Sequence, residues 1–436
     1  MELQQDNKHK ISVYTATSLV VANMVGTGVF TSLGYQILGI QSYFALLALW
    51  VVGGLIALCG ALSYGELAAT LPRSGGEYHY LSKIYHPALG FLSGWVSATV
   101  GFAAPTALAA MALGKYAQSV IPELNEQYLA ATVVILVTFI HITNVRVGGY
   151  FQLFSTSIKV MLILFFIGAA LFYTPVHQSF SLFPPQATDW QAILSPSFAV
   201  SLIYVSYAYS GWNAAAYISS EIREPQRNLP RALLTGTVAV MLLYVVLNFS
   251  FLYVAPLSAM AGKPEVGYVA AGYIFGETGG KMMGLLISLL LVSTISAMIF
   301  AGPRVVQTMG EDLPPLGWLA RRNVRNIPLN GTLFQSGLTL FFIFTSSFEA
   351  VLTYSGFVLS LFTFLSVLGL FVLRVRRPDL PRPYRTWGYP VTPIIFLGLT
   401  LWTLFFIFRD KTTESLYGLA TLALGLILYA LLRKKK

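Results

Sequence analysis

The sequence predicts an all-α polytopic membrane protein of about twelve transmembrane helices, with the first and sixth helices interrupted near mid-membrane. Three observations carry that reading. Of 436 residues, 56% are hydrophobic and only 10% charged, against about 25% charged in an ordinary soluble domain. Apolar runs of about 20 residues, enough to cross roughly 30 Å of hydrocarbon, follow one another almost end to end. Two of those runs contain glycine among polar or aromatic residues at a depth where a regular helix is expected.

Taken in order, the hydrophobic blocks place helices near 11–38, 43–71, 87–115, 128–145, 150–173, 195–221 and 230–255, then near 268–302, 330–346, 348–374, 389–408 and 415–433. They leave no room for a separate soluble domain. The polar stretch 1–11 precedes an apolar run without a cleavage pattern of small residues, so that run reads as a retained helix rather than a signal peptide. Cys59 is the single cysteine and lies inside an apolar run; an intramolecular disulfide and a multi-thiolate metal site are excluded. Nothing in the pattern implies a metal or a cofactor.

The net charge of +10 is a matter of topology rather than of nucleic-acid binding. With loops assigned alternately to two sides, Lys115, Lys263, Lys281, Arg409 and Lys411 fall outside and Lys159 falls within a helix. All other lysines and arginines, of 27 in total, fall inside. That bias predicts cytoplasmic termini in a plasma membrane. The basic tail Arg433 to Lys436 is expected to meet anionic lipid headgroups, an interaction of about 1 kcal/mol per charge.

The first break is Gly26-Thr27-Gly28, within Val20 to Phe30. Each glycine weakens a helix by about 1 kcal/mol and tolerates other torsions. In hydrocarbon, the freed backbone groups survive only where they line a cavity or a ligand. The second is Tyr207-Ala208-Tyr209-Ser210-Gly211-Trp212-Asn213 in the sixth helix. Either could be a packing site for small residues. Their equivalent positions in helices one to five (11–173) and six to ten (195–374) instead suggest inverted repeats with a site between half-helices, leaving 389–433 as two peripheral helices. An exposed half-helix N-terminus suits a carboxylate, and unwound carbonyls suit an ammonium. The amides of Val25, Gly26, Thr27 and Gly28 are thus expected to hold the first, and Tyr207 to Ser210, with Gly211 and Asn213, the second. A dinucleotide fingerprint is excluded, since no strand precedes the glycines.

Lys159, deep in the fifth helix, is a functional candidate because a charge there is costly. Its expected partners are carbonyls of the first break and the hydroxyls of Ser293, Thr294 and Ser296, where an ammonium would replace a bound cation or titrate. Glu66 near the end of the second helix, and Glu221 with Arg223 after the sixth, read as gate or cap charges. Tyr207 and Trp212 are expected to close over a ligand. His141 and Glu349, near helix ends, read as structural.

Four patches resemble the amino acid-polyamine-organocation superfamily, and within it bacterial relatives of the L-type amino-acid transporters. They are Gly26-Thr27-Gly28-Val29-Phe30; Tyr64-Gly65-Glu66-Leu67 through Leu71-Pro72-Arg73-Ser74-Gly75-Gly76-Glu77-Tyr78; Tyr209 to Asn213 followed by Glu221 to Ala232; and Ala301-Gly302-Pro303-Arg304 to Asp312, with Glu311 where an arginine is usual. The resemblance implies the leucine-transporter fold and an amino-acid site at the two breaks. It also implies that Lys159 stands near the place of a sodium ion in sodium-coupled relatives. Tyr207 falls where mammalian members have a gating phenylalanine, and Thr27 replaces the usual serine. Animal relatives bond a heavy chain through a cysteine between helices three and four; residues 116–127 have none, so no such partner is expected.

The expected activity is secondary active transport of neutral L-amino acids by alternating access, through exchange or proton symport. No carboxylate is evident near the breaks to favour a cationic side chain, and Arg304 reads as too near the cytoplasm to select an anionic one. The rival readings are a polyamine or organic-cation carrier of the same fold and a non-transport amino-acid sensor. No intramembrane catalytic cluster suggests an enzyme.

Overall fold

The computed structural model describes residues 10–73, 75–143, 148–175, 177–180, 182, 185–312, 314–323 and 327–433. Ser74, Arg146, Arg325 and Lys434 to Lys436, which entered the sequence reading, lie outside these. The described residues form an all-helical bundle. Nine helices are long and apolar enough to cross a membrane, and the bent pair Ala187–Ile193 and Pro196–Ala208 makes a tenth. Among the described residues, Gly148–Phe172 and Leu329–Thr345 fall short of that length or apolarity and take the fifth and ninth places in chain order.

The first span is two helices, Val13–Met24 and Gly28–Gly39. The second is Tyr43–Thr70, and the third runs from Pro87 to Val120 through a π-helical turn at Ser97–Gly101. Glu126–Thr143 and Gly148–Phe172 are the fourth and fifth. The sixth is Pro196–Ala208 followed by a 3-10 segment, Ala214–Glu221. Pro225–Val254, Val266–Asp312, Leu329–Thr345, Phe348–Arg376, Val391–Asp410 and Thr412–Arg433 are the seventh to twelfth. Starts follow local chemistry: the hydroxyls of Ser12, Ser42, Ser195 and Ser347 each accept a first-turn N–H, and Pro87, Pro196 and Pro225 occupy first-turn positions where no donor is lost.

Two boundaries depart from the hydropathy reading. The eighth helix continues to Asp312 rather than ending near 302, because polarity ends a membrane span without ending a helix. The connection after the second span contains a helix of its own, Gly76–Ile84, too polar and short to register as a hydrophobic block.

Packing is symmetric under an exchange of spans one to five with six to ten. The second packs on the seventh, the third on the eighth and the fourth on the ninth. The second–sixth contact is matched by seventh–first, third–ninth by eighth–fourth, fifth–eighth by tenth–third, and fifth–seventh by tenth–second. The eleventh and twelfth lie against the second, third, sixth and tenth.

Glu66 staples this bundle. Its carboxylate, fully buried, accepts from Arg374 Nε at 2.8 Å and Nη2 at 2.6 Å, and from the Thr386 amide at 2.7 Å. Arg382 adds an ion pair at 3.5 Å, and the Arg374 guanidinium covers the Tyr389 ring at 3.6 Å. The second span is thereby tied to the tenth and to the segment leading into the eleventh. Glu66 does pair with basic residues, but its place is a packed joint outside the cavity described below. Removing one partner of such a pair costs about 3–5 kcal/mol. Glu66→Ala is expected to lower the unfolding midpoint in detergent sharply and Glu66→Gln less; an unchanged midpoint for Glu66→Ala would remove the staple.

Candidate functional site

The two breaks meet backbone to backbone. A Cβ on Gly28 would lie 2.5 Å from the Ala208 Cα, and one on Gly211, whose φ is 97°, would lie 2.8 Å from the Asn23 carbonyl oxygen. Those two glycines therefore serve close packing, between the breaks themselves. Gly26 differs: a Cβ there meets nothing closer than 3.9 Å.

Side chains hold the interrupted backbone. Tyr244 donates to the Met24 carbonyl at 2.6 Å, Tyr116 to Phe30 at 3.0 Å, and Thr31 to Thr27 at 3.0 Å. The Tyr207 hydroxyl lies within hydrogen-bonding reach of the Thr27 side chain. The helix resuming at Gly28 has no side-chain cap; the Phe30 amide bonds the Thr27 carbonyl at 3.0 Å, and the amides of an uncapped first turn have no partner further back in their own helix.

A cavity of about 980 Å³ opens beside the breaks. Gly26, Thr27 and Gly28 line it, as does the whole run from Tyr207 to Asn213, together with Glu221, Thr294 and Ser296. Val25, Lys159, Ser293, Glu66 and Arg223 do not line it. Ile11, Tyr14, Glu221, Arg304 and Met309 extend the lining toward the end that holds the described chain termini. At the opposite end Tyr35 stacks on Phe348 with ring centroids 5.8 Å apart, and Glu349 joins Tyr204 at 2.9 Å to Lys411 at 2.7 Å.

Lys159 is 2% exposed and donates to the Thr294 hydroxyl at 2.6 Å. It thus reaches the cavity wall beside Gly26 through Thr294, whose methyl is 4.0 Å from that glycine's would-be Cβ. The other two expected partners turn elsewhere. Ser293 bonds back to the Leu290 carbonyl, and Ser296 meets His141 Nε2 at 2.8 Å. His141, read as structural, therefore lines the cavity too.

Two aromatic side chains of the second break are anchored. The Trp212 ring meets Tyr64 edge-on at 4.7 Å and presses on Gly60, and Tyr209 donates to the Trp50 carbonyl at 3.0 Å. No ion pair joins Glu221 and Arg223 among the described residues. The Arg223 amide bonds the Ile11 carbonyl at 3.0 Å, and Glu221 acts electrostatically on Arg304. Arg304 belongs to the eighth helix and lines the cavity toward the end that holds the described chain termini, with its guanidinium 3.7 Å from the Phe300 ring centroid.

The residue that sequence reasoning passed over is Glu77, in the helix Gly76–Ile84. It lines the cavity yet is only 5% exposed. Its Oε1 accepts from the Tyr64 hydroxyl at 2.8 Å and from Asn213 Nδ2 at 3.0 Å. Burial pushes its carboxyl up to about 7, against those two hydrogen bonds. A carboxyl does therefore border the second break, contrary to the sequence reading. The signal available was Gly75-Gly76, both with positive φ (119° and 51°), which fold the connection back under Tyr217.

Comparisons with known proteins place this geometry. Residues 11–429 match the amino acid permease family. The chain is 29% identical, over 97% of its length and 81% of the relative's, to the mouse large neutral amino acids transporter small subunit 2. It is 28% identical to the serine/threonine exchanger SteT of Bacillus subtilis, over 99% of both chains. With the human b(0,+)-type amino acid transporter 1 it shares 25% over 97% of its length and 87% of the relative's. A match over nearly the whole chain, on a bundle with broken first and sixth spans, leaves one conclusion: this multi-pass membrane protein belongs to the amino acid permease family and has its leucine-transporter fold.

Proposed function

We propose that the chain carries neutral L-amino acids across the plasma membrane by alternating access between repeats 11–173 and 195–374, with 389–433 peripheral and both termini cytoplasmic. The observation that carries this reading is the apposition of the two breaks over a cavity. The uncapped helix start at Gly28 offers N–H groups and a positive dipole end to a carboxylate. The turn from Tyr207 to Gly211 offers carbonyls to an ammonium. A zwitterion places both charges on one carbon, matching two opposed ends. The names of relatives, large neutral amino acids and serine/threonine, point the same way.

Lys159 has two uses consistent with this reading. In exchange it stays charged as a fixed cation beside the first break; in proton symport it releases its proton during the cycle. The carboxyl of Glu77 at the cavity gives a second substrate reading some support, a polyamine or other organic cation. Cys59, buried in the second span and the only cysteine, offers no bond to a heavy chain.

Thermal unfolding in detergent with a panel of amino acids and polyamines tests the substrate. A ligand at 100 times its Kd stabilises by about 2.7 kcal/mol, so neutral amino acids are expected to raise the midpoint. Stabilisation by polyamines alone would transfer the site to cations. In proteoliposomes, uptake that needs internal amino acid and ignores a pH gradient identifies exchange, and the reverse identifies symport. Gly28→Ala is expected to abolish the ligand shift, because its Cβ must part the breaks; such overpacking costs about 1–3 kcal/mol. Gly168→Ala, in a helix where a Cβ meets nothing, is the neutral control. Lys159→Met removes a charge-assisted hydrogen bond of about 1.5–3 kcal/mol, so transport is expected to fall about tenfold or more while the chain stays folded. Wild-type transport in that variant would discard the role given to the ammonium.

A further inference from the structure

We propose that Glu77 is a proton-binding positioning residue of the transport cycle: its carboxyl, fixed by Tyr64, holds Asn213 of the broken sixth span, so protonation state sets how firmly that half-span is latched. This inference rests on the transport reading above and adds a group to it.

The geometry is a latch with three parts. Glu77 Oε1 receives Tyr64 of the second span and Asn213 of the break. The Gly75 amide donates to the Tyr217 carbonyl in the 3-10 segment at 3.2 Å. Gly76 is seated so closely under the Tyr217 ring that a Cβ would lie 2.9 Å from it. The connecting helix is thus bound to the half of the sixth span that borders the cavity mouth. Helices that resume after a break move as units, and whatever fastens one controls the movement.

The chemistry makes the fastening variable. A carboxylate accepts a hydrogen bond roughly twice as strong as a neutral acceptor does. Charged Glu77 therefore grips Asn213; a proton taken from the aqueous cavity onto the carboxylate gives the neutral acid and loosens it. The groups facing Glu77 do not fix its charge. They are the phenols of Tyr64, of Tyr80 on its own helix and of Tyr217. Arg73 and Lys83 act on His79, and Arg73 also on Tyr78. The tenth span brings Ser366 toward Tyr64 and Arg376 to the far end of the helix, at the Ile84 carbonyl. The third span brings Ser97 toward Tyr217. No ion pair to Glu77 occurs among the described residues.

The sign of the pH effect follows. The carboxyl is raised from 4.5 to about 7, so between those values the folded chain holds a proton that the unfolded chain has released. Stability from Glu77 is full below the lower value and is lost as pH rises through the upper one.

The test uses the full chain, as wild type, Glu77→Gln and Glu77→Asp. In detergent, infrared titration is expected to show a protonated buried carboxyl in wild type that disappears near neutral pH and is missing from Glu77→Gln. In proteoliposomes at equal pH on both sides, wild-type amino-acid flux is expected to change severalfold through the same pH range. Flux in Glu77→Gln is expected to be flat, and Glu77→Asp to restore a dependence with a displaced midpoint. A cooperative unfolding transition of Glu77→Gln in detergent shows that the variant folds. A wild-type pH profile in Glu77→Gln, or an infrared signal that survives the substitution, overturns this inference while leaving the transport reading standing. Failure of every amino acid to bind wild type overturns the transport reading and this one with it.

Discussion

Everything in this bundle depends on two interrupted helices packed against each other. In hydrocarbon an unpaired backbone group costs several kcal/mol, so each break needs partners close by. Gly28 lying against Ala208 and Gly211 against the Asn23 carbonyl bring the interruptions close enough to share one environment. Hydroxyls add to the bonding of carbonyls around the first break: Tyr244 on Met24, Tyr116 on Phe30 and Thr31 on Thr27. The remaining polar groups border a cavity. A ligand with one negative and one positive end is the natural complement of what is left.

That constraint orders the rest of the fold. Tyr244 comes from the seventh span and Tyr116 from the third, so the breaks are braced by neighbours on both sides. The paired packing of spans one to five on six to ten accompanies the close contact of the two interruptions. The two ends of the molecule then differ. At one, Tyr35 stacks on Phe348 and Glu349 joins Tyr204 to Lys411. At the other, the cavity extends past Glu221 and Arg304.

Much of this was legible in the sequence, and the failures have physical causes. Spans are long hydrophobic runs and the breaks are glycine in the wrong solvent, so both register without a structure. Direction around a helix does not register as well. Ser293, Thr294 and Ser296 lie within four residues, yet at about 100° per residue only Thr294 points to Lys159, while Ser296 turns to His141. The eighth helix reads as ending near 302 rather than at Asp312 because it outlasts its apolar run. Glu77 was passed over because a nine-residue polar helix has no hydrophobic period to announce that it is buried; only the paired glycines before it hinted at a re-entrant fold.

Lys159 and Glu77 are buried beside different breaks. Lys159 reaches the first through the Thr294 hydroxyl, whereas Glu77 touches the second directly at the Asn213 amide. A bare ammonium or carboxylate in the low-dielectric gap would hold one end of a zwitterion by direct pairing and reject the other. Polarised through an intermediary, the same charge biases the field without occupying the place where the ligand's own charges must lie. A site that must bind and then release gains more from such indirect charges than from direct ones.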